Sequence, residues 1–483
     1  MKQSQIPEIR IRQISKSGVS QSGRLILYWM NANRRMEDNF ALQRAVEWRN
    51  FLNKPLVILE SLRCDYRWSS LRFHQFVLEG MEINSNLAGQ VQVSYIPLVE
   101  TKPKQELDWL KQFSQEFSVV VTDDFPSVEQ EERIHQAAKK ILCRFEAVDS
   151  NGLFPLRAAD RVFQRAFSFR QFLKKELAAH LAEFPENRPL SKLKEECRNQ
   201  VDIEELERTS NLHLISLREL PIDHSVAEVD RFPGGSESAI ERLNQFLEQK
   251  LSGYSEFRNQ PEIDATSGLS PYLHTGQISP HTIFRAIAGS DGWSPEKINS
   301  SQSGKNWFGM SENAESFLDE LITWRELGYN MAWQQPDYDQ YDSLPKWAVQ
   351  TLEEHSGDPR PNLYTEEELE EARTHDPLWN AAQNQLRSEG IIHNYLRMLW
   401  GKKILEWSKS PREAMRIMVH LNNKYAMDGR NPNSYSGIFW VLGRYDRPWG
   451  PERPIFGKIR YMSSENTARK FRVAQYIDRY GSV

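Results

Sequence analysis

The sequence predicts an α/β domain, a long connection and then an all-α domain, and three observations lead there. The first third alternates short runs of β-branched and aromatic residues with helix-length segments, the signature of a parallel sheet covered by helices. Beyond Tyr254 the pattern is helices and loops only. At 483 residues the chain exceeds one ordinary hydrophobic core.

Strand candidates are 24–30, 55–60, 91–97 and 118–122, each a short run rich in residues that suit a pleated, buried surface. Helix-length segments at 39–52, 70–87, 105–117 and 128–142 separate and follow them, which marks residues 1–160 as a Rossmann-like domain. No GxGxxG or GxxxxGK[ST] occurs, so this domain lacks the usual nucleotide-phosphate loops. From about Val162 the β signal fades, and residues 161–235 read as a charged, helix-prone connection between domains. In FPGGSESA, Pro233, Gly234 and Gly235 break the chain and Ser236 caps a helix. Ala239, Leu243, Phe246, Leu247 and Leu251 give that helix its apolar face, and residues 236–483 form the helical domain. The chain carries no internal repeat and no low-complexity tract.

The net charge of −5 announces no global attraction to nucleic acid. From Arg444 to Arg472, however, eight Lys/Arg face only Asp446, Glu452 and Glu465, and the tract includes Pro448 and Trp449. Such a run is either a solvated face or a phosphate-contacting surface. Cys64, Cys143 and Cys197 lie far apart without CxxC spacing, so neither a disulfide framework nor a zinc or iron–sulfur site is expected, and no metal ligand is assigned. No apolar run approaches membrane-spanning length and MKQSQIPEIR lacks a hydrophobic signal region, so the expected compartment is a reducing cytoplasm.

Four constellations carry chemistry. Tyr254, Arg258 and the turn Thr266-Ser267-Gly268-Leu269-Ser270-Pro271 offer hydroxyls, amides and a guanidinium fork suited to a pyrophosphate, although a plain capped turn has the same make-up. Arg397 lies in an apolar helix and needs a partner, for which Asp428 in MDGRNPNS is the natural candidate, as a structural pair or as part of a site. Glu320 and Trp324 stand at i and i+4 in FLDELITWREL and project from one face, a pairing that on its own is more often an ordinary surface contact than a site. With Trp440 from another segment, two indoles can flank an extrahelical base pair. Finally Trp379, Trp400 and Trp407 fall within 29 residues, Trp400 and Trp407 two helical turns apart, as core packing or as an electron path.

The stretches THDPLWNAAQNQLRSEGIIHNYLRMLWGKKILEW, LNNKYAMDGRNPNSYSGIFW and DRPWGPERPIFGKIRYMS resemble the C-terminal half of class II cyclobutane pyrimidine dimer photolyases, members of the photolyase/cryptochrome family. SGLSPYLHTGQIS, FLDELITWREL, FPGGSESA and YWMNANRRMEDNFAL extend the resemblance over most of the chain, in the family's order. It implies light-dependent repair of cyclobutane pyrimidine dimers in DNA, by electron transfer from photoexcited reduced flavin adenine dinucleotide (FAD) to a flipped-out dimer. The sheet domain becomes an antenna-type domain and the helical domain binds FAD. Tyr254, Arg258, Thr266, Ser267, Leu269 and Ser270 then fall at the phosphates, Arg397 and Asp428 beside the isoalloxazine, and Asn422 near its N5. Glu320, Trp324, Met398 and Trp440 become the substrate contacts, and Trp400, Trp379 and Trp407 carry electrons inward from the surface. Asp446, Arg447, Trp449 and Arg460 become the DNA-contacting set.

The chain departs from the family pattern in places. Thr275 replaces a Phe, Asn431 an Asp and Ser434 a Gly, while Gly443-Arg444-Tyr445-Asp446-Arg447-Pro448-Trp449 is one residue short, loses a Gly and a His, and is followed by an added Pro451. The resemblance implies a monomer acting on damaged DNA, with no membrane and no obligate protein partner; a second antenna chromophore, deazaflavin or folate, leaves no motif. A cryptochrome-like photoreceptor shares the flavin and the tryptophans but has no use for the substrate set. A flavin oxidoreductase lacks its dinucleotide fingerprint here, and (6–4) repair fits the class II likeness less well.

Overall fold

The computed structural model describes residues 4–194, 203–299, 301 and 306–481; Cys197 lies outside them. Six strands form one sheet: β1 (Ile11–Gln13), β2 (Leu25–Met30), β3 (Leu56–Leu62), β4 (Ser94–Val99), β5 (Phe117–Asp123) and β6 (Arg144–Val148). Their order is β1-β6-β5-β2-β3-β4, all pairs parallel except β1 against β6. Every residue of β2, β3 and β5 is buried, as expected of strands covered on both faces.

The period-2 alternation of β2 divides its side chains cleanly. Leu25, Leu27 and Trp29 join Trp109, Leu110, Ile134 and Ala137 from helices Gln105–Gln112 and Val128–Ala138 on one face. Ile26, Tyr28 and Met30 join Phe40, Ala45 and Trp48 from helix Phe40–Leu52 on the other. The four strands read from sequence correspond to β2 to β5. The helices expected at 105–117 and 128–142 are shorter, because Phe117 already begins β5 and the chain leaves the helix after Ala138.

Helix Ala166–His180 packs Phe169, Leu173 and Leu177 into a large cluster with Phe246, Tyr272, Phe284, Phe317 and Leu321, and its Arg170 grips Asp319 at 2.8 and 2.9 Å. A second cluster gathers Trp379, Trp400, Trp407, Leu421 and Phe439 from helices Pro377–Glu389, Asn394–Trp407, Pro411–Tyr425 and Pro432–Val441. The sheet's carboxyl edge is tied to this helical body. Asp123 collects the amides of Asn31, Ala32 and Asn33 at 2.8–3.0 Å, and Arg35, two residues on, donates to the Gly276 carbonyl at 3.0 Å. The main cavity opens among the helices.

Candidate active site

That cavity has a volume of about 710 Å³ and draws its walls from the short helix Tyr254–Phe257, the turn around Ser267, helix Ser270–Thr275, the segment 317–329, and helices Asn394–Trp407 and Pro432–Val441. The turn is built for close approach. Gly268 takes φ 65, and a Cβ there would meet Arg242 Nη1 at 2.8 Å, while Pro271 opens the following helix without losing a hydrogen bond. Tyr254, Arg258, Ser267, Ser270, Arg397 and Asp428 all line the cavity. Thr266, Leu269 and Asn422 do not. Leu269 is 1% exposed and packs in the core, and the Thr266 carbonyl accepts from Lys250 at 3.4 Å. Asn422 is buried behind the wall, its amide donating to Ser434 Oγ at 2.7 Å, and it is Ser434 that faces the cavity.

Arg397 and Asp428 pair as their sequence context required, with Nη2 to Oδ1 at 3.1 Å. Burial alone drives the Asp428 carboxyl upward, but Arg397 and the Ser270 hydroxyl outweigh it and hold the group below the usual carboxylate range. Arg258 is not left free for a phosphate. It forms a close ion pair with Glu320 and reaches Ser316 Oγ at 3.3 Å, and this partner overcomes the downward pull of burial to raise its pKa. Glu320 and Trp324 sit in a π-helical turn, Asp319–Trp324, set between helices Glu312–Leu318 and Arg325–Gln334. Trp324 and Trp440, expected as the two indoles of a base site, both line the cavity, their rings stacked on each other with centroids 4.4 Å apart and 15° from parallel. Met398 lies on the same lining.

The three tryptophans are contiguous and wholly internal. Trp379 Nε1 donates to the Trp400 carbonyl at 3.0 Å, Trp400 Nε1 donates to Gln383 at 2.8 Å, and Trp379 meets Trp407 edge-on at 5.5 Å. Trp407 is 2% exposed, so the chain of indoles does not itself reach the surface. Tyr364 at 5.4 Å and the exposed His375 at 5.3 Å cover it.

No family model matches the chain. Deoxyribodipyrimidine photo-lyase of Methanothermobacter thermautotrophicus is 35% identical over 97% of both chains. The Arabidopsis thaliana enzyme of the same name is 33% identical over 98% of this chain and 93% of its own, and that of Potorous tridactylus 33% over 97% and 83%. The chain belongs to the photolyase family. Its fold is shared by a bacterial class III photolyase from Agrobacterium tumefaciens, with TM-score 0.67 and 17% identity over 96% of this chain and 88% of that one. An archaeal photolyase from Sulfolobus tokodaii, solved with two FAD molecules, gives TM-score 0.64 and 16% identity over 94% and 90%.

In this photolyase-family chain the segment after helix Pro432–Val441 forms a compact polar cluster at the cavity mouth. Asp446 accepts from Trp449 Nε1 at 2.9 Å and faces Arg460 Nε at 3.7 Å. Arg460 lies over Trp440 at 5.7 Å and over Trp449 at 5.8 Å, while Arg447 lies over Trp449 at 5.2 Å. Of Asp446, Arg447, Trp449 and Arg460, Arg460 alone lines the cavity. Asn431, Ser434 and Tyr445, each a departure from the family pattern, all line the cavity, with Tyr445 bonded to Ser436 at 3.0 Å. His274, which no motif in the sequence singles out, lines it as well, its pKa lowered by burial to about 3. Among the described residues no group of three or more His, Cys, Asp or Glu could hold a metal ion, and no helix is long and apolar enough to cross a membrane.

Proposed function

We propose that the chain is a class II cyclobutane pyrimidine dimer photolyase, which repairs dimers in DNA in a light-dependent reaction with FAD held in the main cavity. One observation carries the reading: a single cavity unites hydroxyls and an arginine–carboxylate pair suited to a dinucleotide with an aromatic wall, Met398, Glu320 and Arg460 suited to an extruded base. A volume of about 710 Å³ suits a large organic cofactor. Ser267, Ser270 and the Tyr254 face would hold the phosphate end, and Arg397, kept in place by Asp428, would hold the flavin end.

Bound in the cavity and reduced, FAD would supply the light-driven one-electron chemistry needed to open the dimer's cyclobutane ring. The protein's part is binding and orientation. The joined Trp324–Trp440 wall offers a flat apolar face on which an extruded base stacks, and Met398 adds a soft contact that follows the lesion's irregular shape. Glu320, fixed by Arg258, presents its remaining acceptor capacity to a base edge. Arg397, held by Asp428, would stabilise negative charge near the cofactor ring, and the contiguous Trp400, Trp379 and Trp407 would serve as the path for electrons toward it.

The test is illumination of flavin-reduced protein with a thymine-dimer oligonucleotide, with a dark control, scoring restored thymine by chromatography. Restoration in light only is expected. Protein that carries reduced flavin and restores nothing would favour the photoreceptor reading instead.

A further inference from the structure

The run of indoles stops short of the surface, and outside it stands a tyrosine bonded to a histidine. Trp407 is 2% exposed, the half-buried Tyr364 meets its ring edge-on at 5.4 Å, and the Tyr364 hydroxyl lies 2.6 Å from Nδ1 of the exposed His375. The backbone amide of His375 donates to the same phenol oxygen at 3.1 Å, which leaves the phenol's own hydrogen to point at the ring nitrogen. Nδ1 then accepts, and the ring hydrogen sits on Nε2.

Both residues are fixed by their neighbours in the chain. The Tyr364 amide donates to the Trp407 carbonyl at 3.2 Å, and the next residue, Thr365, opens helix Glu366–Glu370 with a reciprocal capping box. His375 directly precedes Asp376, whose side chain caps helix Pro377–Glu389 by accepting the Trp379 amide at 3.0 Å. The cap that places His375 therefore also places the indole that touches Trp407.

These contacts decide where a missing electron comes to rest. An indole that has lost one electron is a cation, and at 2% exposure Trp407 has little water to stabilise it. A phenol gives up its proton along with the electron, so its oxidation needs a base within hydrogen-bond reach. Tyr364 has one. Trp379, the other oxidisable ring against Trp407 among the described residues, donates only to a backbone carbonyl, which takes no proton.

We propose that Tyr364 and His375 form the outer end of the electron path: oxidised Trp407 takes an electron from Tyr364 while the phenol O–H bond breaks and its proton passes to His375 Nδ1. The products are neutral Trp407, a neutral tyrosyl radical and an imidazolium. A thiolate in solution later returns the electron, and the imidazolium returns the proton. The inference rests on the tryptophan route proposed above.

Flash illumination of the full-length protein carrying oxidised flavin tests it through radical spectra rather than repair. Transient absorption is expected to show a tryptophan radical giving way to the sharp phenoxyl band, more slowly in deuterated than in ordinary water. Tyr364→Phe should lose that band and lengthen the life of the tryptophan radical. His375→Phe keeps a ring against Trp407 but removes the base, and should slow phenoxyl formation about a hundredfold. In the dark, nitrogen NMR of the flavin-bearing protein should show Nδ1 of His375 as an acceptor, with a shift that moves in Tyr364→Phe. A tryptophan radical in the unmodified chain that decays without a phenoxyl band overturns the proposal and leaves the indole route standing. Equal rates in the two waters overturn it whether or not the variants fold, as does a phenoxyl band that persists in Tyr364→Phe or a hydrogen found on Nδ1. Absence of any tryptophan radical overturns proposal and route together.

Discussion

Arg397 and Asp428 are respectively 24% and 14% exposed, shielded enough for each to depend on the other and open enough for a ligand to reach them. Asp428→Asn keeps the shape, removes the charge and leaves Arg397 uncompensated. The expected cost is about 1–3 kcal/mol of stability, below the loss for a fully buried pair, together with reduced flavin in the purified protein, read by absorption and denaturation. The pH dependence has a definite sign. A carboxyl whose folded pKa is depressed contributes stability above its unfolded value, lost as pH falls through the folded one, so the variant's deficit should shrink toward acid. Trp400 tests a different property of a single side chain. Trp400→Phe keeps most of the packing in the second cluster but offers a ring far harder to oxidise, and it loses the bond to Gln383. Photoreduction of oxidised flavin should fail in this variant while light-driven repair by chemically reduced protein persists; photoreduction at the parent rate would remove Trp400 from the route.

At the level of elements, the site depends on close approaches between helices and loops. Gly276 ends helix Ser270–Thr275 at φ 72, and a Cβ there would strike the Ala32 carbonyl oxygen and approach Asn33 Cα at 2.6 Å, both backbone atoms that cannot swing aside. Gly276→Ala therefore combines left-handed strain with a clash at the seam between sheet and helices, and is expected to destabilise by about 2–4 kcal/mol in chemical denaturation. A cost below about 0.5 kcal/mol would show that the seam adjusts freely. The seam also marks where sequence legibility ends. Strands β2 to β5 were readable because each holds at least three consecutive apolar residues, whereas in β6, RFEAV, Glu146 interrupts the apolar residues and is satisfied by Arg44 at 2.7 Å and Trp48 Nε1 at 2.8 Å. β1 is only three residues long. In the site, residue types were legible and partners often were not. Arg397 needed a carboxylate and an acidic loop stood nearby, but the pairing of Arg258 with Glu320 spans 62 positions and the face-to-face contact of Trp324 with Trp440 depends on two helices meeting. No local pattern encodes either.

For the whole molecule, a chain of net charge −5 must rely on local positive charge to meet DNA, and the excess between Arg444 and Arg472 lies beside the cavity mouth through Arg460. Affinity for dimer-bearing duplex should therefore fall steeply with salt, and Arg460→Ala should lower it and flatten the slope by about one charge, measured by anisotropy at several salt concentrations. Stability of the whole is coupled to pH through Glu326. This residue of helix Arg325–Gln334 reaches across to the end of the sheet region and accepts the amides of Leu153 at 2.7 Å and Phe154 at 3.0 Å, with room only because residue 152 is glycine. Burial, opposed by Arg325 and the two amides, raises its pKa to about 7. A carboxyl raised on folding contributes stability that is fully present below its unfolded pKa and is lost as pH rises through the folded value, here across the window from about 4.5 to about 7. Glu326→Gln loses one acceptor at every pH but has nothing to titrate. The unmodified chain should accordingly melt higher than the variant at about pH 5.5 and lose much of that margin by about pH 8, as the carboxylate is forced to ionise away from water. A margin that stays constant between the two would mean that Glu326 holds the same charge in both, and that the clasp between helix and sheet is indifferent to pH.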